Sequence, residues 1–249
     1  MGNRKLLLAS VRQGNYAHAG EEEAIELAMG LLPKKSEQTL LDVGCGLGGT
    51  ADYIQQHGWG KVSGIDIDPE VLAQAKKFYP KLPLSLCDAN HVTELFLKPS
   101  FDIVYSFNAF FCFLEQENVL VKLNQIAKNS ADLIIFDYAS PDTFSKPSFF
   151  HNSTEKSTSS VFSPINLNTI ETFLDKTGWR LQQIIDLEQQ YKNWYETLVT
   201  KMDAQKSHLI KNYGEVTFND LYESYRRLLD ALYHKEITGV ILHAKKKIN

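Results

Sequence analysis

The run Leu40-Leu41-Asp42-Val43-Gly44-Cys45-Gly46-Leu47-Gly48-Gly49 puts an apolar strand straight into a turn with four glycines, with an amphipathic helix behind it. Glycines at this density let a backbone approach a ligand closely. Asp66 closes a second apolar segment about twenty residues further on, where a carboxylate can hold the two hydroxyls of a ribose. The spacing points to a nucleoside-bearing cofactor.

Two nucleoside cofactors compete. Dinucleotide sites favour G-x-G-x-x-G, with a helix N-terminus facing a pyrophosphate. Here the spacing is Gly44-x-Gly46-x-Gly48-Gly49, with Asp42 in the strand end. A carboxylate that close to the turn repels a pyrophosphate; it can accept hydrogen bonds from an ammonium, or from a water near one. S-adenosylmethionine carries an amino-acid tail and no phosphate, so the acid suits it better. Asp88, in Leu86-Cys87-Asp88-Ala89, is a second acid, at the end of a third strand, able to accept from an exocyclic adenine amine. Each charged hydrogen bond of this kind is worth roughly 1.5–3 kcal/mol.

The elements that must position these residues alternate. Periodicity predicts a helix over 21–32 and a polar linker over 33–38. Strands follow at 39–43, 62–66, 84–87, 102–107 and 133–136. Helices lie between them at 48–57, at 69–77 with Pro69 in the first helical position, and at 117–129. Apolar strands in βαβα order imply a parallel sheet covered by helices on both faces. The regularity breaks at Tyr138. Residues 139–164 are rich in Ser, Thr, Pro and Phe, and Phe149 and Phe150 in a polar setting predict a lid or substrate rim. A helix over 166–177 stops at Gly178, and a strand covers 180–187. Two helical stripes follow, one through Tyr191, Trp194, Tyr195, Leu198 and Met202, the other from Phe218 to Leu232. A strand at 239–244 and a basic tail end the sequence.

These segments resemble the class I S-adenosylmethionine-dependent methyltransferase family. The glycine run looks like its first motif, Gly64-Ile65-Asp66-Ile67-Asp68-Pro69 like its ribose motif, and Cys87-Asp88-Ala89 like its adenine motif. Residues 101–106 and 133–138 look like its fourth and fifth strands, and the resemblance spans 12–244. It implies an α/β, Rossmann-like, doubly wound seven-stranded sheet with an antiparallel last strand, here 239–244. An N-terminal lid and helix at 1–38, a cofactor core at 39–138, and a lid loop, helical cap and last strands at 139–249 would make one domain. The cofactor residues would be Asp42, Gly44, Cys45, Gly46, Gly48, Asp66, Ile67, Asp88, Ala89 and Asn108.

Within the family, Gly14-Asn15-Tyr16-Ala17-His18-Ala19-Gly20 looks like the N-terminal lid of the phosphoethanolamine, sarcosine and sterol methyltransferase group. In the phosphoethanolamine enzymes a lid tyrosine, matched by Tyr16, pairs with a histidine after the fourth strand. Cys112 stands at that place here. Ser160 and Phe162 fall near the arginine and tyrosine that grip the phosphate. These departures argue against phosphoethanolamine and leave the class intact. Candidates near the transferred methyl are Tyr16, His18 and Tyr138, with Asn108 and Asp137 beside them. The blander expectations are a surface position for His18 and a small buried apolar role for Cys112. The phenylalanines at 107, 110, 111 and 113 should divide between core and pocket wall, where aromatic faces suit a cationic amine or the sulfonium.

The acceptor expected is a small molecule, at an amine nitrogen. Alternatives are O- or C-methylation of an aromatic, quinone or lipid, and a cofactor-binding protein without catalysis. The 249 residues carry a net charge of −4 with both signs interspersed, which gives no footprint for nucleic acid. Three scattered cysteines without CxxC spacing predict reduced thiols and a cytoplasmic setting. No ligand-spaced cluster suggests a metal, no stretch reaches a membrane span, and the short apolar run at 6–9 before Arg12 is not an export signal. Nothing in the sequence fixes the oligomeric state.

Overall fold

The computed structural model describes residues 2–140 and 163–248, so most of the expected lid loop, with Ser160 and Phe162, lies outside the described residues. The chain opens with α1 (Gly2–Arg12) and α2 (Glu21–Met29). The core then runs β1 (Thr39–Val43), α3 (Gly49–Gln56), β2 (Lys61–Asp66), α4 (Pro69–Phe78), β3 (Leu84–Leu86), α5 (Val92–Leu95), β4 (Phe101–Phe107), α6 (Gln116–Ile126) and β5 (Ala127–Ser140). The described remainder holds β6 (Ile165–Asn166), α7 (Ile170–Lys176), β7 (Trp179–Asp186), α8 (Glu188–Ala204), α9 (Lys206–Tyr213), α10 (Glu215–Tyr233) and β8 (Thr238–Lys246).

One sheet holds every strand among the described residues, in the order β3-β2-β1-β4-β5-β8-β7, with the two-residue β6 beside the end of β5. β1 to β5 are parallel, and β8 runs antiparallel to both its neighbours. This is the expected Rossmann-like sheet with its reversed last strand. Strand order turns back between β1 and β4, and open α/β sheets hold ligands in the crevice at that point. Alternation along the strands divides the core in two. Leu40, Ile103, Tyr105, Ile134 and Phe136 face the layer of α1, α2, α8 and α10. Leu41, Val43, Val104, Leu133 and Ile135 face the layer of α6 and α7.

Several boundaries differ from the sequence expectation. α1 was unforeseen; its Leu7, Leu8 and Val11 are buried on one face. α2 ends at Met29, capped through Gly30. β5 is far longer than 133–136, its start disguised by the polar Lys128, Asn129 and Ser130, the last in a left-handed conformation with φ 61°. The helix expected over 166–177 begins only at Ile170. The two late stripes fall on α8 and α10, and a further helix, α9, lies between them and ends at Gly214, φ 87°. Among the described residues no helix is long and apolar enough to cross a membrane.

α8 lies on β8 through the ring of Tyr191. A Cβ on Gly239 would stand 2.0 Å from Tyr191 Cδ2, so only glycine admits this approach. Gly239→Ala is expected to destabilise the fold by about 1–3 kcal/mol through overpacking, read as a lower urea midpoint; an unchanged midpoint would show that the helix can lift off the strand without cost.

Candidate active site

The glycine turn is fastened to β2. The N–H groups of Gly44 and Cys45 both donate to the Ile65 carbonyl, at 2.8 and 2.9 Å. Gly46 N–H donates to Asp66 Oδ2 at 2.8 Å, and Asp68 N–H donates to Asp66 Oδ1 at 2.9 Å. Gly44 and Gly48 adopt φ 84° and 86°, which side chains disfavour. A Cβ on Gly44 would stand 2.4 Å from the Cβ of Ala109, and one on Gly49 would strike the Asn15 carbonyl at 2.6 Å. The turn is therefore squeezed between the chain after β4 and the loop after α1.

A cavity of about 500 Å³ opens along the C-terminal ends of the strands. Asp88 after β3, Asp66 at the end of β2, Gly44 after β1, and Asn108 with Phe111 after β4 all line it. Three strand spacings separate β3 from β4, about 14 Å. Ile67, 66% exposed, and Leu114, 69% exposed, supply apolar walls. Asp88 spends Oδ1 on the N–H of Asn90 at 2.9 Å. Ala89 also lines the cavity.

Asp42 is not on the wall. It is buried beside Tyr105 of β4, whose hydroxyl is near enough to favour the charged carboxyl slightly, though no well-aligned hydrogen bond reaches Oδ2 or that hydroxyl among the described residues. Burial, and then the nearby Asp66 charge, push its carboxyl up to about 8. Cys45, Gly46 and Gly48 likewise shape the turn from behind the cavity surface.

The N-terminal segment roofs the cavity. Lys5 and Leu8 of α1 line it, as do Tyr16 and Ala17. The Tyr16 hydroxyl donates to Glu22 Oε1 at 3.2 Å, and burial followed by the Glu22 charge raises its pKa. Lys5 and Leu8 escaped the sequence reading; the period of Leu7, Leu8 and Val11 was the signal available for α1.

Two expected catalytic residues are placed away from this wall. His18 is not at the surface: it is buried, with Nδ1 3.1 Å from the Ala19 carbonyl and Nε2 2.9 Å from Thr50 Oγ1. A carbonyl can only accept, so Nδ1 carries the proton and Nε2 accepts from Thr50. Burial holds this imidazole down at about 3, so it stays neutral and occupied. Tyr138 is also buried, with its hydroxyl hydrogen-bonded to that of Tyr195 of α8. Cys112 corrects its expectation in the other direction: the residue is exposed and lines the cavity, with its thiol partly desolvated by the protein around it. The surrounding walls, and then Asp137, push it up to about 12, which keeps it protonated. Asp137 lies behind, accepting from the N–H groups of Tyr138 at 2.7 Å and Phe111 at 3.1 Å, with its own pKa raised by burial to about 7. Asn108 ends β4 in a left-handed conformation, φ 46°, and donates Nδ2 to the Tyr191 hydroxyl at 3.3 Å.

The carboxylate on the wall, the turn that a Cβ would fill and the orphaned Asp42 oxygen beneath it suit a nucleoside with a cationic, phosphate-free tail. Residues 41–135, from β1 into β5, match the family model of the methyltransferase domain. Over that segment the chain is similar to methyltransferase domains, and its sheet is Rossmann-like. Phosphoethanolamine N-methyltransferase of Plasmodium falciparum is 24% identical over 219 residues, covering 86% of this chain and 80% of that one. 24-Methylenesterol C-methyltransferase 2 of Arabidopsis thaliana is 29% identical over 123 residues, 48% of this chain and 34% of that one. Among solved structures, phosphoethanolamine N-methyltransferase 2 of Haemonchus contortus superposes with a TM-score of 0.86 at 18% identity, over 98% of this chain and 57% of its own. The chain thus spans little more than half of that structure and about a third of the sterol enzyme.

The raised Asp42 has a thermodynamic signature. Its carboxyl moves from 3.8 to about 8 on folding, so across that window the folded state binds the extra proton and stability falls as pH rises. Asp42→Asn, which cannot ionise, is expected to be more stable than the parent at pH 8, by a gap that closes toward pH 4. Urea unfolding at several pH values measures it, and a gap independent of pH would remove the buried-carboxyl account.

Proposed function

We propose that this chain is an S-adenosylmethionine-dependent methyltransferase that methylates a small molecule at an amine nitrogen. The observation that carries the reading is one continuous cavity along the strand ends, with carboxylates on its β2–β3 side and aromatic rings on its β4 side, beneath α1. The names of the Plasmodium and sterol relatives point to small acceptors as well.

When bound, the cofactor supplies a methyl group already activated on a sulfonium. Asp66 holds the ribose hydroxyls on the lone pairs its two backbone donors leave, and Asp88 accepts from the adenine amine. The bare backbone at Gly44 lets the tail lie close, while Asp42 answers the tail ammonium from beneath. Tyr16, Phe107 and Phe111 enclose the acceptor, and their faces favour, by cation–π attraction, the positive charge that develops on the nitrogen as it takes the methyl group. Catalysis is then chiefly positioning and exclusion of water.

The wall chemistry favours nitrogen over oxygen or carbon. Among the described residues no histidine lines the cavity, His18 has both ring nitrogens engaged, and the Cys112 thiol stays protonated at neutral pH. A phenol or carbon acid needs a base at the reacting atom; an amine that enters as the free base needs only to be held.

S-adenosylhomocysteine release with ethanolamine, phosphoethanolamine, glycine, sarcosine, dimethylglycine, phenols and quinols tests the reading. Turnover is expected on an amine, to be lost in Asp66→Ala, and to fall roughly ten- to hundred-fold in Tyr16→Phe. Full activity in Tyr16→Phe would remove that residue's positioning role. Cofactor binding with silence across the panel would overturn the amine reading and favour a cofactor-binding protein without catalysis.

A further inference from the structure

Lys5 is the one cation among the described residues that line the cavity, against Asp66, Asp68 and Asp88. Its Nζ stands 3.9 Å from Asp66 Oδ2 and 3.9 Å from where a Cβ on Gly46 would lie. Its charge also bears on Cys45 and Cys112. The ammonium therefore sits over the glycine turn, beside Asp66.

At 3.9 Å the approach to Asp66 is Coulombic and too long for a hydrogen bond. Asp66 already accepts one backbone N–H on each oxygen, so the Lys5 donors are not committed to it. The lysine is held at this place by α1, whose Leu7, Leu8 and Val11 are packed into the core; Leu8, one turn along on the same face, also lines the cavity. An amino-acid tail lying over the turn brings an ammonium and a carboxylate. Asp42 suits the first. The second would meet three wall carboxylates and needs a cation.

We propose that Lys5 pairs with the carboxylate of the cofactor's amino-acid tail, gripping the tail from α1 while Asp66 grips the ribose. This rests on the S-adenosylmethionine reading above. The N-terminal helix then senses whether the cofactor is complete: a ligand with a tail ties α1 in place through Lys5, and a nucleoside without one does not.

Calorimetry with two probes separates the possibilities: S-adenosylhomocysteine, which has the tail, and 5′-methylthioadenosine, which has the same nucleoside without it. Lys5→Gln is expected to weaken S-adenosylhomocysteine about ten-fold while leaving 5′-methylthioadenosine within about two-fold, and Lys5→Arg to restore most of the loss. In hydrogen exchange, S-adenosylhomocysteine should protect the α1 amides of the parent and 5′-methylthioadenosine should not. Equal weakening of both probes, no change in either, or tighter binding of both would overturn the proposal, the last by showing that Lys5 only screens Asp66. Failure of the unaltered protein to bind either probe would instead overturn the cofactor reading, and the role of Lys5 with it.

Discussion

The hydrogen bond from Gly46 N–H to the Asp66 carboxylate, 2.8 Å long and nearly shut off from solvent, ties the turn after β1 to the end of β2. A bond from a backbone donor to a charged acceptor contributes about 1.5–3 kcal/mol, and here its geometric consequence is larger. With Gly44 and Cys45 both fastened to Ile65, it fixes where α3 begins and how far the glycine turn stands from the chain after β4. The cavity is the space this leaves. The same carboxylate sets the electrostatics below it, because Asp42, buried and without a well-aligned hydrogen bond to Oδ2 among the described residues, is pushed toward its neutral form by burial and by Asp66 together. One acid is engaged by a backbone donor on each oxygen; the other is pushed toward its neutral form.

The sequence made the cofactor half legible because its constraints are local. A glycine turn between a strand and a helix, and an acid at the next strand's end, are patterns of spacing, and the spacing is what the backbone needs. The acceptor half depends on contacts between distant segments. His18 reads as a loop histidine, and only the approach of Thr50 from α3 turns it into a buried, neutral side chain. Tyr138 ends a strand, as an active-site residue would, yet α8 brings Tyr195 to its hydroxyl. Cys112 was read as an apolar filler because nothing in Phe110-Phe111-Cys112-Phe113 distinguishes the side chain that faces the cavity from those that face the core. α1 was missed because eleven residues with a single apolar stripe, at the start of a chain, look as much like a weak leader as like a helix.

Cys112 aside, this division follows the limits of the segment that matches the methyltransferase-domain model. The matched segment, 41–135, contains Asp42, Asp66, Asp88 and Asn108. Lys5, Leu8 and Tyr16 precede it. A sheet that binds a common cofactor at fixed strand ends can be given different acceptors by changing only what roofs it, so specificity is expected to reside in the added segments.

Asn108 shows how the sheet and the added helices are joined. A non-glycine residue at φ 46° carries backbone strain that surrounding structure must maintain. Its N–H is held by the Phe136 carbonyl of β5 at 2.8 Å, and its side chain reaches the Tyr191 hydroxyl on α8. Tyr191 in turn lies flat against Gly239 of β8, where no side chain would fit. The position of one cavity-lining residue is thus set from both sides, by the neighbouring strand and by a helix residue 83 positions later in the chain. A movement of α8 would be transmitted to Asn108 through a single hydroxyl, and the strained backbone at the strand end gives it little freedom to absorb the shift. The helical cap therefore does more than cover the sheet: it fixes the wall of the cavity at the end of β4.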